Sequence, residues 1–310
     1  MSYKHPLLVL SPNELVFENK LDSLINAAIH FTTPQSQLDI LYNDTIKTLA
    51  ELTTTLVMIY DTARHYNDIE IHVNVLHGGN YKKLTQPGWD VVFLSDSSAI
   101  ISDIFKQNFP EIKIETLSLL QNVEIAKSVK EDLFKPSAVK LPTLSSRTIS
   151  KQYHSVAIGG TFDHLHDGHK ILLSASIFLT KKTLIIGVTG EGLLKNKKYS
   201  EFLEPFKQRC DSVVQFLKLI DCEITPEIHE INDVCGPTAV VEDIDALVLS
   251  SETVKGGEYV NNVRREKGFG ELVIHEVCVV GGQAGEEDGF KDKLSSTEFR
   301  RLEFEKTKEH

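Results

Sequence analysis

The chain is poor in several things, and each shortage excludes a class. Its 310 residues hold 33 Lys and Arg against 44 Asp and Glu, a formal net charge of −11. That balance argues against broad contact with nucleic acid or an anionic membrane, which want a basic surface. Only four cysteines occur, Cys210, Cys222, Cys235 and Cys278, with no Cys-x-x-Cys among them. Reduced, mostly buried thiols and a cytoplasmic location are the expectation, and a zinc site is not. No apolar run has the length of a membrane span, and the first residues lack the pattern of a signal peptide. Two familiar phosphate-binding patterns are also missing. No Gly-x-Gly-x-x-Gly follows the strand considered below, and no Gly-Lys-Ser/Thr closes a phosphate loop. A His-Glu-x-x-His zinc helix is absent as well.

What is present centres on residues 154–179. Ser155-Val156-Ala157-Ile158 is an apolar run suited to a buried strand. Gly159-Gly160-Thr161-Phe162-Asp163-His164-Leu165-His166-Asp167-Gly168-His169 follows, and then a helical stripe through Leu179. The unit predicts strand, glycine turn and helix. Glycines let the backbone approach a ligand closely. The start of a helix presents unpaired N–H groups and the positive end of its dipole to an anion. His166 and His169, three apart, share one face of the first helical turn.

The first half is less informative. Pro6–Leu10 reads as a strand, with helical patterns over 21–32 and 38–65. Strands are expected at 69–76, 91–94 and 112–117, and a helix at 98–108. This order predicts a small α/β domain over 1–145 without an acid–base constellation. Ser95-Asp96-Ser97-Ser98 reads as a helix cap, and His77-Gly78-Gly79 with Trp89 as loop or turn. Pro136, Pro142 and a Ser/Thr cluster break both periodicities, placing a linker at 146–152.

From 153 to 310 strands and helices alternate, which predicts an open parallel sheet of about five strands with helices on both faces. Thr183–Thr189 is a continuous apolar strand. The loop after it carries Lys195, Lys197 and Lys198 at the sheet edge where ligands of such folds bind. Pro205 opens a helix whose Arg209 is open to two readings, ligand or surface charge. A later helix holds Asn261, Arg264 and Arg265. An acidic, glycine-rich loop, 281–289, precedes Leu294-Ser295-Ser296-Thr297-Glu298-Phe299-Arg300-Arg301. Those residues make a well-capped helix start and also a cradle of hydroxyls for phosphate.

Gly-Thr-Phe-Asp followed by His-x-Gly-His resembles the signature of the nucleotidyltransferase superfamily. Leu-Ser-Ser-Thr resembles the Ile-Ser-Ser-Thr-x-x-Arg element of these enzymes, the basic residue being Arg300 at the usual spacing, or Arg301. Cytidylyltransferases carry a leading Arg-Thr-x-Gly that this chain lacks. Nicotinamide-nucleotide enzymes have Asn-Pro where this chain has Phe162-Asp163. Ser251-Glu252-Thr253-x-x-Gly256-Gly257-x-x-x-Asn261-x-x-Arg264 looks like the eukaryotic and archaeal phosphopantetheine adenylyltransferases, as do Asn196-Lys197 and Pro205-Phe206-x-x-Arg209. The extra amino-terminal half, with no kinase following, resembles the fungal form of that family.

The resemblance implies a Rossmann-like catalytic domain over 153–310 and an enzyme of coenzyme A biosynthesis. Its reaction would turn ATP and 4′-phosphopantetheine into dephospho-CoA and pyrophosphate, with Mg²⁺ arriving on ATP. It implies catalytic roles for His169, His166 and Lys197. ATP contacts would come from Gly159, Gly160, Thr161, Phe162, His166, His169, Arg264, Ser295, Ser296, Thr297 and Arg300. Thr161, Asp163, Lys195, Lys197, Lys198 and Arg209 would serve the other substrate, Asp163 chiefly by shaping the turn. No protein metal ligand, nucleic acid or membrane is expected. Two other readings stay open. One is a cytidylyltransferase acting on a small alcohol phosphate. The other is a scaffold whose amino-terminal domain gathers further coenzyme A enzymes.

Overall fold

The computed structural model describes residues 2–16, 18–67, 71–77, 88–95, 99–117, 150–221, 223–278 and 295–308. Cys222, residues 78–80 and 96–98, most of the expected linker and the acidic loop 281–289 lie outside the described residues. The chain divides into two units, one of Met1–Ile46 and Thr55–Val139, the other of Lys47–Thr54 and Lys140–His310.

The first half builds β1 (Pro6–Leu10), α1 (Pro12–Val16), α2 (Glu18–His30), β2 (Gln37–Tyr42), α3 (Leu49–Tyr66), β3 (His72–His77), β4 (Val91–Ser95), α4 (Ala99–Asn108) and β5 (Ile114–Leu117). The strands form one parallel sheet in the order β3-β2-β1-β4-β5. One expectation fails here. Residues 38–42 were to open a helix but form β2, paired with β1 on one side and β3 on the other. A strand buried on both faces is as densely apolar as a helix stripe, so periodicity alone does not separate them. Beneath the sheet, buried Asp39 accepts from Trp89 Nε1 (2.8 Å), Gln37 (2.8 Å) and Asn74 (3.0 Å), and pairs with His5 at 2.9 Å. Trp89 lies in the loop before β4, as expected, and from there donates to a buried carboxylate.

The second half builds β6 (Tyr153–Gly160), α5 (Asp167–Leu179), β7 (Thr180–Thr189), α6 (Phe206–Ile220), β8 (Thr225–Ile231), β9 (Ala246–Ser250), α7 (Lys255–Glu266), β10 (Val273–Val277) and α8 (Ser296–Lys306). Its five strands are all parallel, in the order β10-β9-β6-β7-β8. Ala157, Ile185 and Leu247 from three neighbouring strands pack with Ile244, Val260 and Leu272 into a dry core. Such burial is the main stabilising term, worth roughly 1.5–3 kcal/mol per large apolar side chain. The fold is the α/β architecture expected, with a Rossmann-type parallel sheet at the carboxyl end. Among the described residues no helix is long and apolar enough to cross a membrane.

Read from the sheet centre outwards, both sheets run in one topology. The first strand of each half is central, the next two lie to one side and the last two to the other. The order in which strands are added reverses at β1/β4 in one half and at β6/β9 in the other. Ligands of open parallel sheets bind at such points, outside the carboxyl ends of the strands.

Candidate active site

The turn after β6 leaves the carboxyl edge of the second sheet. Gly159 is exposed there, and a Cβ added to it would meet nothing nearer than 3.8 Å. Gly160 is tighter: a Cβ would lie 3.1 Å from the Phe162 ring. Phe162 (φ 51°) and His164 (φ 45°) both hold left-handed backbone. That conformation is costly for residues with a side chain and persists only where its surroundings impose it.

The surroundings can be named. The Asp163 carboxylate is fully buried, accepts the Glu204 N–H at 2.9 Å and pairs with Arg300. The Asp163 carbonyl accepts from the Ser296 hydroxyl at 2.8 Å. His164 donates its N–H to the Glu204 carboxylate (2.7 Å), and its Nε2 lies 3.0 Å from the Phe202 carbonyl. Arg209, 1% exposed, donates to the carbonyls of Thr161 (2.7 Å), Thr189 (2.9 Å) and Glu204 (3.0 Å). Burial pushes its guanidinium below its usual range, offset by the Asp163 charge.

Helix α5 starts from this turn. His166 is its N-cap residue, and His169 lies in the first turn. Their rings stack with centroids 3.9 Å apart and planes 25° from parallel. Phe162 also packs against His169, its ring centroid 5.3 Å away. The His169 Nδ1 is buried and has no hydrogen-bond partner. Desolvation pushes its imidazole down to about 3, so the ring is neutral near pH 7. A buried polar atom left unpaired in the protein asks for an explanation, and an incoming ligand atom is one.

Helix α8 supplies the opposite wall. The Ser295 side chain caps it, accepting the Glu298 N–H at 3.3 Å. Thr297 Oγ1 accepts from Arg300 at 3.1 Å. Ser295 and Thr297 therefore act as acceptors, and among the described residues their hydroxyl protons have no acceptor. Ser296 spends its proton on the turn.

These contacts sort the sequence-expected residues. Thr161, His166 and His169 follow Gly159 and Gly160 along one turn, and Asp163 of that turn is tied to Ser296, which lies between Ser295 and Thr297. Phe162 is fully buried against Gly160 and His169, so its ring supports the turn. Lys195, Lys197 and Lys198 are exposed on the loop leaving β7. Their main chain is anchored where Arg300 Nε reaches the Lys198 carbonyl at 3.0 Å.

Three arginines depart from expectation, and Asp163 takes the turn-shaping role expected of it. Arg264 is fully buried and donates to the carbonyls of Thr238, Val241, Glu242 and Gly270, at 2.6–2.9 Å, so it is a strut and not an ATP ligand. Arg209 and Arg300 are likewise committed to carbonyls and, for Arg300, to Asp163. Asp163 has both oxygens engaged, which leaves it a shaper of the turn and not a substrate contact. Sequence reasoning passed over Glu204, which touches the turn from below. It also passed over Phe299, which packs parallel to His164 at 5.8 Å.

Among the described residues no group of three or more His, Cys, Asp or Glu is placed to hold a metal. Cys210, Cys235 and Cys278 are free.

Comparison with known proteins shows the family. The cytidylyltransferase-like family matches residues 157–302. The phosphopantetheine adenylyltransferase of Saccharomyces cerevisiae is 38% identical over 287 residues, 91% of this chain and 88% of that protein. The phosphopantetheine adenylyltransferase of Pyrococcus abyssi is 35% identical over 149 residues, 48% of this chain and 90% of its own length. That of Thermococcus kodakarensis is 34% identical over 150 residues, 48% of this chain and 86% of its own.

Proposed function

Because this chain belongs to the phosphopantetheine adenylyltransferase family, within the cytidylyltransferase-like nucleotidyltransferases, we propose that it joins ATP and 4′-phosphopantetheine to give dephospho-CoA and pyrophosphate. The observation that carries the reading is Asp163. Through its carboxylate and its carbonyl, this residue ties the His-x-Gly-His turn to the Ser-Ser-Thr helix start. Two helix N-termini and their hydroxyl and imidazole groups are thereby brought to one sheet edge, suited to a chain of phosphates.

The chemistry asks little of the protein beyond placement. The phosphate of 4′-phosphopantetheine is already anionic and attacks the α-phosphorus of ATP in line. Its oxygen forms the new P–O bond as pyrophosphate leaves. Catalysis is then positioning and stabilisation of charge on the pentavalent phosphorus. His169, neutral, donates a hydrogen bond to an α-phosphate oxygen, with His166 beside it. Ser295 and Thr297 donate to the β- and γ-phosphates. Gly159 and Gly160 leave room for the nucleotide. Thr161 and a lysine of 195–198, Lys197 by the resemblance, take the attacking phosphate. Mg²⁺ belongs with ATP. The Asp163 carboxylate is already saturated, so the ion would be held by phosphate and water rather than by a protein cage.

The first half, 1–145, we read as a docking domain for other enzymes of coenzyme A synthesis, with 146–152 as linker and the cytoplasm as location. Its own switch point supports a role other than nucleotide binding. Glu14, fully buried between the carboxyl ends of β1 and β4, is bound by the Ser11 N–H (2.6 Å), the Ser11 hydroxyl and the Ser95 hydroxyl (2.7 Å), with Lys20 at 3.3 Å. A carboxylate of the chain itself fills the place where a phosphate would go.

The test is pyrophosphate release by the purified chain with ATP and 4′-phosphopantetheine, run beside CTP and glycerol 3-phosphate. Release with the first pair alone, with dephospho-CoA identified by mass, is the expected result. Release with the second pair alone moves the substrate to that of a cytidylyltransferase. Silence with both removes the enzymatic reading and leaves the scaffold.

A further inference from the structure

The histidine pair presents a problem of orientation. An imidazole that must meet a ligand is usually steered by a hydrogen bond to its second nitrogen. His169 has no such bond: its Nδ1 is buried without a partner, and among the described residues its other ring nitrogen makes no hydrogen bond either. Rings surround it instead. Phe162 lies 5.3 Å away, tilted by 55°, and His166 is stacked at 3.9 Å. Beyond His166 comes Phe299, nearly parallel to it (10°) at 6.4 Å, and nearly parallel (4°) to His164 at 5.8 Å. The separations that involve Phe162 and Phe299 fall in the range where aromatic pairs attract, about 4.5–7 Å, and the two histidine rings lie closer still.

Phe299 is well placed to hold such a pile still. On helix α8 it shares one face with Ser296, Arg300 and Glu303, at i−3, i+1 and i+4. Ser296 and Arg300 are fixed to Asp163, and Glu303 lies 3.9 Å from His164 Nδ1. Phe304, five residues on, packs against Tyr199 and Phe202 of the lysine-bearing loop. The ring of Phe299 is therefore carried by an element pinned on both sides.

We propose that Phe299 is a positioning residue: its ring, pinned on helix α8, helps set the plane of His166 and through it that of His169, which has no hydrogen bond of its own to orient it. The proposal rests on the adenylyltransferase reading for its consequence in turnover, but not for its consequence in the free protein. In the free protein the stack keeps water from His169 and keeps that ring neutral. The titratable and charged groups of the turn and of the elements packed on it are His164, His166, Asp167 and Lys170 on the turn and α5, Glu204 and Glu303 beside His164, and the Asp163–Arg300 pair. None of these is removed by changing Phe299.

The experiment compares Phe299→Ala, Phe299→Leu and Phe299→Tyr in the full chain, each checked for an unaltered thermal transition. Histidine ring resonances of the ligand-free protein are titrated by NMR, and kcat and KM for ATP are measured across pH. In the wild type, His169 stays neutral down to about pH 5, as its desolvation requires. Phe299→Ala is expected to bring its titration up towards the ordinary histidine range. The same change should lower kcat by about tenfold to a hundredfold, the scale of a small misplacement, with KM for ATP within about twofold. Phe299→Tyr should restore both. Unchanged histidine titration together with unchanged kcat in folded Phe299→Ala overturns the proposal, as does a loss carried wholly by KM. If Phe299→Ala fails to fold, Phe299→Leu, which keeps the bulk and loses the ring, decides on the same readouts. If the wild type turns over no ATP, the adenylyltransferase reading falls while the titration still judges Phe299.

Discussion

A neutral imidazole offers one hydrogen bond as donor and one as acceptor, whereas an imidazolium offers two as donor. His169 belongs to the first kind at physiological pH, because burial holds it down at about 3. Its contribution to charge stabilisation is therefore a donated hydrogen bond and not a full positive charge. His169→Ala should lower the chemical step by about 10²–10³, the usual cost of a donor used in the transition state, with ATP affinity little changed. Rapid-quench turnover beside equilibrium ATP binding separates the two, and a loss confined to binding would contradict the role. Arg264 makes the opposite case. The motif offered it as a ligand, and nothing in a sequence distinguishes a guanidinium facing ATP from one sunk among carbonyls. Arg264→Ala would leave the four carbonyls of Thr238, Val241, Glu242 and Gly270 without their donor. Hydrogen bonds to a charged group contribute about 1.5–3 kcal/mol each, so a loss of at least about 3 kcal/mol is expected in denaturant titration. ATP affinity of the folded fraction should not move. The site residues legible in the sequence were those whose backbone or hydroxyl makes the contact. The arginines were legible only as necessary, not as struts.

Between the turn and helix α8 the energetics concentrate in one buried pair. Asp163 and Arg300 are 0% and 2% exposed. Removing one partner of such a pair leaves an uncompensated charge and typically costs about 3–5 kcal/mol, while replacing both can cost little. Asp163→Asn should lower stability by an amount in that range and lower kcat with it, since both walls of the site hang on this contact. The double change Asp163→Asn with Arg300→Met should recover much of the stability and little of the turnover. A double-mutant cycle read by thermal unfolding and by pyrophosphate release checks both halves. If turnover returned with stability, the pair would matter only to folding. At this scale most strands and helices of the second half were legible, because a parallel sheet buried on both faces writes itself as apolar runs between glycine turns. β2 was not. Its apolar residues at 38, 40, 41 and 42 fit a helix as well as a strand. The true start of α3 was nonetheless marked: Thr48 Oγ1 accepts the Glu51 N–H at 3.2 Å, and the Glu51 carboxylate accepts the Lys47 N–H at 3.0 Å. Thr48-x-x-Glu51 is a capping pattern in the sequence, and it places the helix after residue 48.

One topology occurs twice along this chain, and the two copies treat their switch points in opposite ways. In the second, Gly159 lies open at the end of β6 and the nearest histidine has an unpaired buried nitrogen. In the first, the corresponding edge is closed by Glu14. Burial opposes ionisation of that carboxyl, but hydrogen bonds from Ser11 and Ser95 outweigh it and hold it at about 2. The sign of the linkage follows. The folded value lies below the ordinary 4.5, so folding is favoured by the ionised form. That stability is fully present above about pH 4.5 and is lost as pH falls through about 2. Glu14→Gln keeps the shape, removes the charge and leaves Lys20 facing a neutral amide. The variant should therefore be less stable than the wild type at pH 7, with the difference shrinking between about pH 4.5 and pH 2. Hydrogen exchange at amides of β1 and β4 would follow this locally. Because Glu14 lies in the half without the phosphate-facing groups, turnover of the folded variant should equal that of the wild type. If the folded variant lost adenylyl transfer outright, Glu14 would have to bear on the site built at β6, and the first half would be a working part of the enzyme rather than a docking domain.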